Sequence, residues 1–123
     1  MKVLIIEDDP GWINIITMSL VHFKISYSVV RSGENILEAI MQNKPDLVLL
    51  DMLIGYDGIE GLNILQLIKA DPKMAGTPVV ILSTDYQDQD KEDAIRLGAI
   101  AYIRKDRLIT ELNNFCDQLG KKS

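Results

Sequence analysis

Short apolar runs alternate with longer segments of helical periodicity along this chain. Residues 3–6 and 47–50 are uninterrupted stretches of Val, Leu and Ile, which is typical of strands that are buried on both faces. Between such runs, apolar residues recur at three- and four-residue spacing, as in Ile13, Ile16 and Leu20, and this spacing predicts amphipathic helices. We predict strands at about 2–7, 26–31, 46–51, 78–83 and 100–104, and helices at about 10–23, 34–43, 60–70, 87–97 and 107–119.

Alternating strands and helices predict an α/β fold, a (βα)5 doubly wound parallel sheet with helices on both faces. For a five-stranded sheet of this kind the common strand order is 2-1-3-4-5, the flavodoxin-like three-layer sandwich. The chain has 123 residues, so we expect residues 1–123 to form a single domain. The switch point of this sheet lies between strands 1 and 3, and Asp8 and Asp51 stand at the ends of those strands.

Composition and charge argue against several kinds of protein. The net charge of −5 disfavours direct binding of nucleic acid, because phosphate backbones favour basic faces. No apolar stretch approaches the ~20 residues of a membrane span. Cys116 is the single cysteine, so we expect neither a disulfide framework nor a multi-cysteine metal site. Met1 and Lys2 lead directly into a predicted strand, without a signal peptide, so we expect a cytoplasmic location.

Polar side chains follow four of the predicted strands. Asp8 comes after the first strand and Asp51 ends the third, while Ser83 and Lys105 end the fourth and fifth. Parallel strands bring these ends to one edge of the sheet, where ligands bind in open α/β folds. Two close carboxylates suit a hard divalent cation such as Mg²⁺, and a carboxylate can act as a nucleophile in phosphoryl transfer. A hydroxyl and an ammonium can contact a phosphoryl group.

These residues are part of a longer ordered set of motifs. The chain resembles the bacterial two-component response-regulator receiver domain over essentially its whole length, with matching intervals between the motifs. The motifs are Glu7-Asp8-Asp9-Pro10, Asp51, Asp71-Pro72, the run from Pro78 to Ser83, and the run from Gly98 to Lys105.

The resemblance implies a phosphorylation site that depends on Mg²⁺. Asp51 takes the place of the residue that accepts a phosphoryl group from a phosphohistidine of a sensor histidine kinase or histidine phosphotransfer protein. Asp8 and Asp51 take the places of the carboxylates that bind Mg²⁺ directly. Leu53 would offer its backbone carbonyl to the metal, and Glu7 would act through water.

The resemblance also implies a switch. Ser83 takes the place of the hydroxyl that turns towards the phosphoryl group, and Tyr102 that of the switch aromatic. A plain strand aromatic is the alternative for Tyr102. Lys105 takes the place of the lysine that pairs with the phosphoryl group. We expect its ammonium at the mouth of the site, so that Lys105 matters more for switching than for folding. The surface that responds would be the face of the fourth helix, fifth strand and fifth helix.

Two features depart from the family pattern. Gly55 stands where the family usually has proline, and Gly61 is the matching glycine, so the loop at 54–59 is lengthened. Asp106 follows Lys105 where a proline is usual, so a cis peptide bond is not expected there. We expect Asp106 either to cap the last helix or to pull on Lys105 by its charge.

We therefore predict a stand-alone receiver domain, a monomer or weak dimer that catalyses only its own phosphorylation and dephosphorylation and acts on a protein target downstream. One alternative is a pseudo-receiver, a binding module of the same fold that does not switch. A second is a haloacid-dehalogenase-like phosphatase, although residues 7–10 do not match its Asp-x-Asp nucleophile motif.

Two further predictions concern residues at the start of the first helix. Asp9 is predicted as a helix cap, and Trp12 as either surface packing or a partner contact.

Overall fold

A five-stranded parallel sheet forms the centre of the protein. The computed structural model describes residues 2–31, 35–54, 59–107, 110–111 and 113–114. The five strands are β1 (Lys2–Ile6), β2 (Ser26–Val30), β3 (Leu47–Asp51), β4 (Val79–Ser83) and β5 (Ala101–Arg104). They run in the order 2-1-3-4-5 with every neighbouring pair parallel, so the predicted topology is confirmed.

The described residues also include four α-helices that connect the strands. They are α1 (Pro10–His22), α2 (Ile36–Asn43), α3 (Gly61–Ala70) and α4 (Asp88–Arg96). For the five strands and the first four helices, the predicted first and last residues are confirmed to within two residues. None of these helices is long and apolar enough to cross a lipid bilayer.

The last predicted helix is described only in part. Residues 105–107 form a 3₁₀ turn, and residues 110–111 and 113–114 are helical. The remainder of the predicted helix, including Cys116, lies outside the described residues, as does residue 34, where the second helix was predicted to begin.

Apolar residues on both faces of the sheet form two core clusters. Along β3, Val48 and Leu50 face one cluster, while Leu47 and Leu49 face the other. Successive side chains of a strand point to opposite faces, and all five residues of β3 are buried. A continuous apolar run is therefore required here, because both faces of β3 are covered.

Helix α1 begins immediately after the acidic segment that follows β1. Asp9 caps it, as predicted: its side chain accepts hydrogen bonds from the backbone N–H groups of Gly11 and Trp12. Pro10 occupies the first turn, where its missing N–H costs nothing. The cap fixes the path of the chain between β1 and α1, and therefore the position of the neighbouring acids.

Candidate functional site

The carboxyl ends of β1, β3, β4 and β5 enclose a cleft of about 460 Å³. Asp51, Ser83 and Lys105 line it and are buried, with 5%, 2% and 4% of their surfaces exposed. Parallel pairing of Asp51 with Leu82, and of Ser83 with the residue before Lys105, brings these strand ends level. The predicted convergence of these side chains at one edge of the sheet is therefore observed.

Three carboxylates meet in this cleft. One oxygen each from Glu7, Asp8 and Asp51 lies within 4.8 Å of the others. Glu7 and Asp51 are buried, and Asp8 is exposed at the cleft surface. Hard divalent cations prefer such oxygen ligands, and Mg²⁺ commonly takes one or two carboxylates together with water. The donor set fits a hard divalent cation.

Lys105 joins two of these acids inside the cleft. Its Nζ lies 2.6 Å from Glu7 Oε2 and 3.1 Å from Asp51 Oδ1. The expectation that this ammonium stands at the mouth of the site is wrong, because the Lys105 side chain is only 4% exposed. The stem of a lysine can lie along apolar surface with its head group either in water or, as here, between carboxylates.

Glu7 also holds the acidic segment in shape. Its Oε1 accepts hydrogen bonds from the backbone N–H groups of Asp8 and Asp9, each at 3.2 Å. The fully buried Glu7 carboxylate thus connects Lys105 to the backbone that carries Asp8. This arrangement fixes the backbone that carries the Asp8 side chain.

The pKa of the Asp51 carboxyl is raised from its ordinary value of 3.8 to about 6. Burial is the largest cause, because it disfavours the charged form, and the nearby Glu7 carboxylate adds to it. Lys105 acts in the opposite direction through its charge and hydrogen bond. A cation bound beside Asp51 would favour the charged, nucleophilic form of this carboxylate.

Gly61 fixes the backbone at Asp51 by close approach. A Cβ atom on Gly61 would lie 2.6 Å from the backbone oxygen of Asp51 and 3.1 Å from the Cα of Met52. The Gly61 N–H donates to the Met52 carbonyl, and the Met52 N–H donates to the Leu82 carbonyl at 2.8 Å. Leu53 follows and lines the cleft, and the role of its backbone carbonyl as a metal ligand stays a prediction.

The two ends of the lengthened loop at 54–59 lie in a short ribbon. Leu53–Ile54 and Ile59–Glu60 form a two-stranded antiparallel pair, with Leu53 opposite Glu60. Residues 55–58 lie outside the described residues. The extra length is thus folded partly into a short ribbon that starts two residues after Asp51.

Ser83 and Tyr102 are held by different contacts. Ser83 Oγ donates a hydrogen bond to the backbone carbonyl of Asp85 at 2.8 Å. Tyr102 does not line the carboxylate cleft; it is buried, with its ring edge-on to Tyr86 at 5.3 Å between centroids. Both tyrosines line a separate cavity of about 500 Å³ beside α4 and β5, together with Ile95.

Asp106 does not act on Lys105. Its carboxylate pairs with Arg104 Nη2 at 2.6 Å, and both side chains are exposed. The expectation that Asp106 pulls on Lys105 is therefore wrong. The peptide bond between Lys105 and Asp106 is trans, as expected. The start of the last helix lies outside the described residues, so the role of Asp106 as its cap stays a prediction.

Trp12 is the site residue that sequence reasoning missed. It is half-buried, lines the carboxylate cleft, and its ring centroid lies 5.6 Å from Lys105 Nζ. Its position in the first turn of a helix that starts beside the acidic segment was the available signal. Asp85, Asp90 and Asp93 also line this cleft, which makes its lining acidic.

The comparisons with known proteins agree with this geometry. The family model of the response regulator receiver domain matches residues 3–116. This chain belongs to that family. This chain is 29% identical over 104 residues to the DNA-binding response regulator MtrA of Mycolicibacterium smegmatis. The match covers 85% of this chain and 43% of MtrA. The chain thus spans less than half the length of that relative.

Solved receiver domains share the fold. The signal receiver domain of the DNA-binding response regulator merR from Colwellia psychrerythraea aligns with a TM-score of 0.89 and 25% identity, covering 98% of each chain. The BeF3-activated N-terminal receiver domain of Klebsiella pneumoniae RstA aligns with a TM-score of 0.79 and 27% identity, covering 94% of this chain and 98% of that one. Receiver domains of this family interact with histidine kinases in two-component signalling.

Proposed function

We propose that this receiver domain accepts a phosphoryl group on Asp51, with Mg²⁺, from a phosphohistidine of a sensor kinase or phosphotransfer protein. One observation carries the proposal: the Asp51 carboxylate lies close to two further carboxylates and to the ammonium of Lys105. The acids supply ligands for a hard cation, and Lys105 supplies a positive charge for the incoming phosphoryl oxygens.

The transfer is a displacement at phosphorus. A carboxylate oxygen of Asp51 forms the new P–O bond while the P–N bond to the donor imidazole breaks, and its electron pair stays on the imidazole nitrogen. Asp8, Asp51 and the Leu53 carbonyl would hold Mg²⁺, with Glu7 acting through water. The ion supplies positive charge that lowers the repulsion between carboxylate and phosphate. Lys105 then shares its N–H donors between Glu7 and a phosphoryl oxygen.

The switch begins at Ser83. To donate to a phosphoryl oxygen, its hydroxyl must leave the Asp85 carbonyl that accepts its hydrogen bond at 2.8 Å. This change reaches the segment that carries Tyr86, whose ring contacts Tyr102. A local charge event would thus alter the packing beside α4 and β5, where a downstream protein would bind.

The remaining assignments belong to the same proposal. The domain would catalyse only its own phosphorylation and dephosphorylation, and its protein target and cytoplasmic location stay predictions. The name of MtrA states that this relative binds DNA. Because the match covers 43% of MtrA, we propose for this chain the receiving step alone.

Phosphorylation by a small donor tests the proposal. Incubation with phosphoramidate and Mg²⁺ should add one phosphoryl group, as measured by intact mass. The adduct should disappear in Asp51→Asn and when EDTA is present. Asp46→Asn is the matched control, because this exposed carboxylate stands at the other end of the same strand. An adduct that persists in Asp51→Asn, or an unmodified wild-type protein, would contradict the proposal.

A further inference from the structure

Trp12 lies against the cation of the site. Its ring centroid is 5.6 Å from Lys105 Nζ, within the ~6 Å range in which an aromatic face attracts an ammonium. Tryptophan gives the strongest such attraction, which increases when the cation is shielded from water. Lys105 is only 4% exposed, so the contact joins the most favourable aromatic ring to a cation that is shielded from water.

The surrounding charges show why such a contact matters. Among the described residues that line the cleft, five acids form no ion pair with Lys105: Asp8, Asp9, Asp85, Asp90 and Asp93. A lysine side chain is long and can adopt many rotamers. An ammonium that was not enclosed would therefore have competing partners such as Asp85 and Asp90 in the lining of the cleft. Trp12 occupies the cleft wall beside Lys105, and its ring attracts the ammonium without adding another carboxylate.

We propose that Trp12 is a positioning residue that holds the Lys105 ammonium at Asp51. This inference rests on the proposed phosphoryl transfer and extends it to a residue outside the strand ends. Glu7 binds the ammonium with a full negative charge at 2.6 Å. The Trp12 ring restrains it with a weaker attraction, which leaves Lys105 able to turn its donors towards negative charge that develops on the phosphoryl group.

A purely structural role is the competing explanation, since Trp12 also packs against the core cluster that contains Val3 and Ile103. Three variants separate the two roles. Trp12→Leu keeps apolar volume but removes the aromatic face, whereas Trp12→Phe keeps a smaller aromatic face. Phe23→Leu is the matched control, because Phe23 is a half-buried aromatic near the other end of α1 that packs against the same cluster.

The experiment measures the phosphorylation rate with phosphoramidate at saturating Mg²⁺ and, separately, the Mg²⁺ affinity by calorimetry. For Trp12→Leu we expect a rate lower by about fivefold, with Mg²⁺ affinity within about twofold of wild type because Trp12 supplies no oxygen ligand. Trp12→Phe should recover part of the rate, and Phe23→Leu should keep the wild-type rate. Equal rates in wild type and Trp12→Leu, or equal losses in Trp12→Leu and Phe23→Leu, would overturn the inference.

A second measurement does not depend on phosphorylation. In the unmodified protein, NMR of the Lys105 side-chain ammonium should show faster hydrogen exchange with water in Trp12→Leu than in wild type or Phe23→Leu. Unchanged exchange in Trp12→Leu would overturn the positioning role. A wild-type protein that accepts no phosphoryl group but shows the expected exchange would contradict the proposed function while leaving the Trp12–Lys105 contact supported.

Discussion

Lys105 forms its shorter ion pair with Glu7, at 2.6 Å, and its longer one with Asp51, at 3.1 Å. Glu7 is fully buried and also accepts hydrogen bonds from two backbone N–H groups. The lysine is therefore part of the folded structure as well as of the site, and its removal affects both.

Removal of Lys105 should destabilise the fold. Lys105→Ala leaves the buried Glu7 carboxylate without its cation, and breaking a buried pair in this way costs about 3 kcal/mol in the free energy of unfolding. Arg104→Ala is the matched control, because its exposed pair with Asp106 should contribute less than about 1 kcal/mol. Denaturant unfolding measures both. Equal losses in the two variants would show that the Glu7–Lys105 pair contributes no more than a surface pair.

Removal of the Asp51 charge should stabilise the protein when metal is absent. The raised pKa of about 6 means that the folded state binds a proton more tightly than the unfolded state. The free energy of unfolding therefore decreases as pH rises from about 4 to about 6 and stays lower above that. The shift corresponds to at most about 3 kcal/mol, and we expect about 1–2 kcal/mol because the cleft is open to solvent.

Asp51→Asn should accordingly raise the unfolding midpoint at pH 7.5 in EDTA, with a smaller gain at pH 4.5. Asp93→Asn is the control of opposite sign, because hydrogen bonds from Arg96 and Gln89 lower the pKa of Asp93. A gain for Asp51→Asn that is independent of pH would mean that packing, and not charge, is responsible.

Gly61 should not tolerate a side chain. In Gly61→Ala the new Cβ would meet the Asp51 carbonyl oxygen at 2.6 Å, so the backbone beside Asp51 must move. We expect a loss of about 1–3 kcal/mol in stability together with slower phosphorylation. Gly76→Ala is the control, because a Cβ there has no neighbour within 4 Å. Similar stability and rate for the two variants would show that the close approach at Asp51 is unimportant.

Mg²⁺ affinity should depend on Asp8 more than on Asp9. Asp8 shares the carboxylate cluster with Asp51, whereas the Asp9 side chain caps α1. Asp8→Ala should abolish measurable Mg²⁺ binding in calorimetry. Asp9→Ala should keep the affinity but lose about 1 kcal/mol of stability, the usual effect of losing a helix cap. The reverse ranking would mean that Asp9, and not Asp8, is the metal ligand.

The sheet and the meeting of Asp51, Ser83 and Lys105 could be predicted because they depend on strand ends. Continuous apolar runs identify the buried strands, and parallel order brings their carboxyl ends together. The direction of a long side chain could not be predicted in this way. Lys105 has a flexible stem that fits either a buried or an exposed head group, and the positions of the side chains around its ammonium decide between the two.

The partner of Asp106 could not be predicted from the sequence. Strand periodicity does not apply to its pair with Arg104, because β5 ends at Arg104 and Asp106 lies in the 3₁₀ turn at residues 105–107. The resemblance identified Gly61 as the matching glycine, but the physical reason for it could not be predicted, because it depends on the approach of α3 to the Asp51 carbonyl, a contact between separate elements.

Chemical location of the phosphoryl group tests the central claim most directly. An aspartyl phosphate is an acyl phosphate, which borohydride reduces to an alcohol, so a phosphorylated aspartate becomes homoserine. After treatment with phosphoramidate and Mg²⁺, reduction and tandem mass spectrometry of the peptides should find homoserine at position 51 and aspartate at positions 8 and 9. Homoserine at position 8 or 9, or an unreduced Asp51 in a protein that carries the phosphoryl group, would contradict Asp51 as the acceptor.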